Sequence, residues 1–107
     1  MYQLPECDWK VLRNLEPELL DRFCKRVLDE LQSIAADAQK SNHKRYGDIY
    51  ALIRDRDKEL ANAFDGLSRS CAYMKLTIMH SYQLLTPEEL NRFTPETINR
   101  IKSFASI

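Results

Sequence analysis

The chain has 107 residues, of which 44% are hydrophobic and 30% are charged. That length is sufficient for one domain, residues 1–107, with a core that needs no disulfide or metal support. Its 16 basic and 16 acidic residues cancel to a formal charge of zero, whereas a dedicated nucleic-acid binder usually carries a basic excess.

The scarcity of turn-forming residues favours helices. With only two glycines and four prolines, the chain offers few places for the tight turns that a strand-rich fold needs. We therefore expect an all-α protein, an antiparallel helical bundle built on one long helical hairpin with short helices at both termini.

The N-terminal residues MYQLPECDW lack the basic stretch and apolar run of a signal peptide, and no run of about 18 apolar residues could span a membrane. The three cysteines, Cys7, Cys24 and Cys71, cannot all pair within one chain, and their spacing is not that of metal ligands. Reduced thiols in the cytoplasm are the simplest interpretation.

The first predicted helix runs from Pro17 to about Ala38. Proline is favoured at the first helical position, and Pro17 is followed by apolar residues at alternating steps of four and three. That row consists of Leu20, Cys24, Val27, Leu31, Ile34 and Ala38. The segment before it, around Trp9, Val11 and Leu12, is expected to be a separate short piece.

A polar connector, residues 40–47, precedes the second long helix. Asp48 is a plausible N-cap, although Ser41 could begin the helix earlier. An apolar row then extends through Tyr50, Ile53, Leu60, Phe64, Leu67, Cys71, Met74 and Ile78. Because this register continues across Gly66, we predict one helix from Asp48 to Leu84; the alternative is a helix end at Asp65–Gly66.

Two short helices are predicted near the C-terminus. The sequence Thr86-Pro87-Glu88-Glu89 has the pattern of a capping box, in which threonine and glutamate satisfy each other's free backbone donors. The sequence beginning at Thr94-Pro95 repeats this helix start without the second glutamate.

The apolar stretch Leu67–Leu85 is longer than a simple hairpin can cover. The terminal segments could fold over it, or a second copy of the chain or another protein could do so. We expect the bundle to dimerise, and we predict that the protein is an interaction module or regulatory adaptor. The predicted partner-binding residues are Tyr73, Leu76, Met79 and Tyr82.

The alternative function is regulation through nucleic-acid binding by residues 40–58. Basic side chains there could neutralise phosphates, and an aromatic ring could stack on a base. The residues of this predicted site are Lys40, Lys44, Arg45 and Tyr46. The neutral overall charge makes it the less favoured hypothesis.

Nothing in the sequence indicates catalysis, so we expect neither an enzyme nor a cofactor. His43, His80 and the cysteines are too dispersed for a metal site. Asp57 interrupts the second apolar row. It is a solvated charge, or a polar group facing a helix interface, where it could determine register or partner choice, or the mark of an unrecognised enzyme site.

Overall fold

The computed structural model describes residues 2–105, and α-helices dominate this part of the chain. The α-helices in chain order are α1 (Glu6–Ala35), α2 (Asn42–Phe64), α3 (Ala72–Ser81), α4 (Pro87–Leu90) and α5 (Pro95–Ala105). A single 3₁₀ turn, Arg69–Cys71, leads into α3. The predicted all-α class and the hairpin of two long helices are confirmed.

The first helix begins earlier than predicted and passes straight through Pro17. Proline in a helix interior costs about 3 kcal/mol relative to alanine. The helix persists because one buried stripe continues on both sides of the proline, whose own side chain is exposed. The buried apolar residues of that stripe are Trp9, Leu12, Leu15, Leu19, Phe23 and Val27. The separate N-terminal piece is therefore the first third of α1.

The second helix also begins earlier than our first choice. Ser41 is its N-cap, and the Ser41 hydroxyl accepts a hydrogen bond from the backbone N–H of Lys44 at 3.0 Å. Asp48 lies inside the helix, where its carboxylate binds two lysines. The chain thus adopts the alternative helix start, with Ser41 as the N-cap.

The long second helix ends at Phe64, so the predicted continuity across Gly66 is wrong. Asp65 has extended backbone angles, and Gly66 has a φ of 70°, in the left-handed region. Glycine adopts this conformation at no steric cost, which a residue with a side chain cannot do. The chain then reverses, and α3 packs against α1, α2 and α5.

The core lies at one end of the molecule, which measures 51 × 27 × 25 Å. Its buried apolar residues come from the first two thirds of α1, the end of α2, and the segment from α3 to α5. The largest fully buried apolar side chains are Leu12, Leu19, Leu76, Met79, Leu84 and Ile101. The terminal segments therefore do cover the apolar stretch Leu67–Leu85, as one of our two alternatives expected.

A buried carboxylate of α1, Asp8, ties the start of α5 to that helix. Asp8 accepts hydrogen bonds from the Thr94 backbone N–H at 2.9 Å and from the Thr94 and Thr97 hydroxyls at 2.7 and 2.6 Å. Asp8 thereby supplies the acceptor that the second helix-start sequence lacks.

No helix in the described residues is long and apolar enough to cross a membrane.

The two glycines give a matched test of the break between α2 and α3. Gly66→Ala should lower the free energy of unfolding by about 1 kcal/mol, because alanine is strained at positive φ. Gly47→Ala lies inside α2, with nothing within 4 Å of the added methyl group, and should stabilise by about 0.5–1 kcal/mol. Urea denaturation of both variants measures this difference. Stabilisation by both substitutions would contradict the break.

Candidate functional site

Beyond the core, α1 and α2 continue together as a two-helix arm, residues 28–60. None of the side chains in residues 28–60 is fully buried. Half-buried residues such as Leu31, Ile34, Ile49 and Leu52 are all that the two helices pack between them. A pair of helices has two lateral edges, and neither edge of this arm is covered by a third helix.

One edge of the arm is apolar, and we call it the open edge. It carries four of the six large hydrophobic residues that are exposed in the described chain. They are Leu28, Tyr46, Tyr50 and Ile53, with exposed fractions of 53%, 74%, 63% and 44%. On α2, Tyr46, Tyr50, Ile53, Asp57 and Leu60 follow one another at steps of four and three, so they form one row along the helix.

A groove runs along the base of the open edge between α1 and α2. It has a volume of about 240 Å³ and is lined almost entirely by apolar groups. Its walls include Cys24 and Leu28 of α1 and Ile53, Asp57 and Leu60 of α2. Such a groove can bind an aromatic or aliphatic side chain from another helix.

The other lateral edge of the arm carries ion pairs around a groove of about 260 Å³ with mixed polar and apolar walls, and we call it the paired edge. Arg56 binds Glu30 of α1 at 3.1 Å and Glu59 of its own helix at 2.9 Å. At the core end of this edge, just outside the arm, Arg26 donates to the backbone oxygens of Tyr82 and Gln83 at 2.9 and 2.6 Å. Charged side chains that already have partners give little reason for a second protein to bind there.

The predicted partner-binding residues on α3 do not form one surface. Leu76 and Met79 have no exposed area, because α1 and the C-terminal segment cover them. Those two residues belong to the core of this chain, which corrects their predicted position. Tyr73 is half-buried under Tyr2, with ring centroids 5.1 Å apart, and the half-buried Tyr82 lies near Phe23 at 6.3 Å.

A second apolar groove, of about 220 Å³, lies between α3 and α5. Its walls include Tyr73, Met74, Ile78 and Phe104. Met74 and Phe104 are the two exposed hydrophobic residues that do not belong to the arm. This groove retains one residue of the predicted partner site, Tyr73.

The residues of the predicted nucleic-acid site gather at the tip of the arm, but mostly with local partners. Lys40 and Lys44 both bind Asp48, at 3.3 and 2.9 Å, and hydrogen bonds from Lys44 and Lys40 hold the pKa of Asp48 below its ordinary value. Arg45 donates to the Ala35 carbonyl and to the Asn42 side chain. Only Tyr46 is free of such contacts, and it lies on the open edge.

The buried carboxylates that could have suggested catalysis serve as structural acceptors. Glu89 accepts two hydrogen bonds from Arg22, at 2.7 and 3.1 Å, and one from the Thr86 backbone N–H at 2.9 Å. The Thr86 hydroxyl in turn accepts from the Glu89 N–H, which completes the predicted capping box. Within residues 2–105 no group of three potential metal ligands occurs.

The remaining candidate residues stand apart from one another. Asp57 is exposed, so the structure places it at the rim of the groove. Cys71 is half-buried, and a hydrogen bond with Ser68 lowers the pKa of its thiol. The Cys71 thiol donates to the backbone oxygens of Gly66 and Ser68, at 3.1 and 3.7 Å. Asp57 and Cys71 therefore lie at separate places in the described part of the chain.

The bonds at Glu89 predict how stability responds to acid. Hydrogen bonds from Arg22 are the main reason that the pKa of Glu89 lies below its ordinary value. A carboxylate with a lowered pKa in the folded state stabilises the protein above its unfolded pKa, and this contribution disappears as the pH falls through the folded pKa. Glu89→Gln should therefore destabilise the protein at neutral pH and much less in acid.

Denaturation of wild type and Glu89→Gln between pH 2 and pH 7 measures this difference, which we expect to be about 1–3 kcal/mol at neutral pH. Glu88→Gln, one residue earlier and exposed, is the matched control and should change little. A Glu89→Gln effect that stays constant across this pH range would contradict the assignment.

Comparison of the chain with protein-family models, curated proteins and solved structures gives no match.

Proposed function

We propose that this protein is a protein–protein interaction module, acting as an adaptor or regulatory subunit, and that it binds helices through the open edge of its arm. The observation that carries this proposal is the contrast between the two edges of one helix pair. The open edge exposes Leu28 and Ile53 at an apolar groove and Tyr50 in the same row, whereas the paired edge carries ion pairs and a more polar groove.

The energetics favour occupation of this edge. Exposed apolar area is stabilised by burial at roughly 25 cal/mol per Å², and contiguous apolar patches on soluble proteins are commonly interaction sites. Apolar residues at steps of four and three present a straight row, which complements the similar row of a partner helix. A helix laid beside the arm would turn an incompletely packed pair into a bundle.

The proposed setting is the cytoplasm, where the three unpaired cysteines would remain reduced. Nucleic-acid regulation receives less support from the arm tip, because its lysines share Asp48 and the formal charge of the chain is zero. A phosphate contact made there would have to compete with these ion pairs, and its affinity would fall steeply with salt.

The test is affinity capture from the native cytosol with wild type and two variants of the open edge, Leu28→Glu and Ile53→Glu. A charge placed in an apolar interface costs several kcal/mol, so both variants should lose the retained proteins at least about tenfold. Both positions are already exposed, so folding should change by less than about 1 kcal/mol, which circular dichroism can verify.

Met74→Glu is the matched control, because Met74 is 42% exposed and Ile53 is 44% exposed. It places the same charge in the groove between α3 and α5 and should leave capture unchanged. Proteins retained by Ile53→Glu but lost from Met74→Glu would transfer the function to that groove. Nucleic acid that elutes with rising salt, without a retained protein, would support the alternative.

A further inference from the structure

We infer that the open edge binds a second copy of this chain, with the two arms antiparallel about a two-fold axis at Ile53. This inference rests on the proposed function and specifies the partner. The axis would place each α2 beside α2 of the other copy, so that two arms form a four-helix arrangement. Three features of the edge support it.

The first feature is that the edge carries both a projecting side chain and a groove that can receive it. Tyr46 is the most exposed large hydrophobic residue described, at 74%, and projects from one end of the row. The groove ends at Leu60, which lies 14 residues further along α2, or about 21 Å. The midpoint between them is Ile53, so a two-fold axis there brings Tyr46 of each copy to the groove of the other.

The second feature is the order of residues along the row. Reversal of the row about Ile53 places Tyr50 of one copy opposite Asp57 of the other, because they lie three and four residues from the midpoint. A tyrosine hydroxyl can donate a hydrogen bond to a carboxylate, and the symmetry forms this contact twice. Asp57, which interrupts the apolar row, thereby obtains a function as the residue that sets the register.

Asp57 is available for that contact. Within residues 2–105 its carboxylate takes part in neither an ion pair nor a side-chain hydrogen bond, although the adjacent Arg56 binds two glutamates on the paired edge. An apolar partner helix would leave this charge at the interface without a donor, at a cost of about 1–3 kcal/mol. A second copy provides the Tyr50 hydroxyl as the donor, in the same register that places Tyr46 in the groove.

The third feature is charge. The chain carries 16 positive and 16 negative residues, so two copies approach without net repulsion. Closure matters as well, since a projection and a groove joined head to tail would continue as an open filament. The two-fold arrangement uses both projections and both grooves within one dimer.

Sedimentation equilibrium of the purified full chain tests the inference. Wild type should form dimers with a dissociation constant on the order of micromolar, as expected for a small interface. Tyr46→Ala and Ile53→Glu should each weaken association at least about tenfold. Glu30→Gln on the paired edge and Met74→Glu on α3 are the controls and should leave the dissociation constant unchanged.

A double-mutant cycle tests the register. Tyr50→Phe and Asp57→Asn should each weaken the dimer by about tenfold or more, because each removes two charge-assisted hydrogen bonds per dimer. The double variant should be little weaker than either single variant, since the same contact is lost. Additive effects of the two substitutions would overturn the proposed contact.

Cross-linking between different variants tests the direction of the arms. In a background with the native cysteines replaced by alanine, Tyr46→Cys mixed with Leu60→Cys should give a disulfide-linked heterodimer, and neither variant alone should cross-link. Self-cross-linking of Tyr46→Cys would indicate parallel arms and overturn the inference.

A wild-type protein that stays monomeric at all concentrations would overturn self-pairing but not the proposed function, which then depends on the capture experiment. Loss of capture by Ile53→Glu from a monomeric protein would identify a different partner on the same edge.

Discussion

The buried stripe on the first two thirds of α1 is the feature on which the rest of the structure depends. It runs from Trp9 to Val27, and α3 to α5 together with the end of α2 pack around it. It supplies six of the fifteen buried apolar residues of the core, more than any other helix, and burial of a large apolar side chain stabilises the fold by about 1.5–3 kcal/mol. Asp8 and Arg22 then attach α5 and α4 to the same helix.

The segments that pack on the stripe form a complete core at one end of the molecule only. Beyond Val27 the hairpin continues with α1 and α2 alone, and two helices can bury only the side chains directly between them. The row from Tyr46 to Leu60 has the periodicity of a buried face but remains exposed at several positions. The arm is therefore a hairpin of two helices that lacks the further helix needed to bury its exposed apolar residues.

The sequence was sufficient for the helical class, the hairpin and the C-terminal helix starts, because these depend on local periodicity and capping. The sequence was misleading at Pro17, where a proline followed by apolar residues at helical spacing is typical of a helix start. There the continuous stripe from Trp9 to Phe23 outweighs the cost of an interior proline. It was also misleading at Gly66, because the register of apolar residues survives a break that the backbone nevertheless makes.

Those two errors moved the predicted interaction surface. With α1 starting at Pro17 and α2 continuing past Gly66, the uncovered end of the hairpin is the stretch that holds Leu76 and Met79. With the observed boundaries, α3 folds back against α1, and the uncovered end becomes the arm. The row through Tyr50, Ile53 and Asp57 was visible in the sequence, but its exposure depends on the long-range position of α3.

The two edges of the arm also suggest how a partner would be selected. On one side, Arg56 joins the two helices through Glu30 and also binds Glu59 of its own helix, and charged groups line much of the groove there. The open edge combines apolar contact with a single carboxylate, Asp57, that requires a donor at a defined position. Apolar burial would provide affinity, and Asp57 would disfavour partners that lack this donor.

Amide hydrogen exchange at low and high protein concentration tests most directly the claim that the arm needs cover from outside the chain. In dilute protein, amides of residues 42–60 should exchange faster than those of residues 8–27 and of α3, because the arm has no buried side chain. At high concentration, protection should rise selectively in residues 42–60. Equal protection of arm and core in dilute protein, with no change on concentration, would contradict the account.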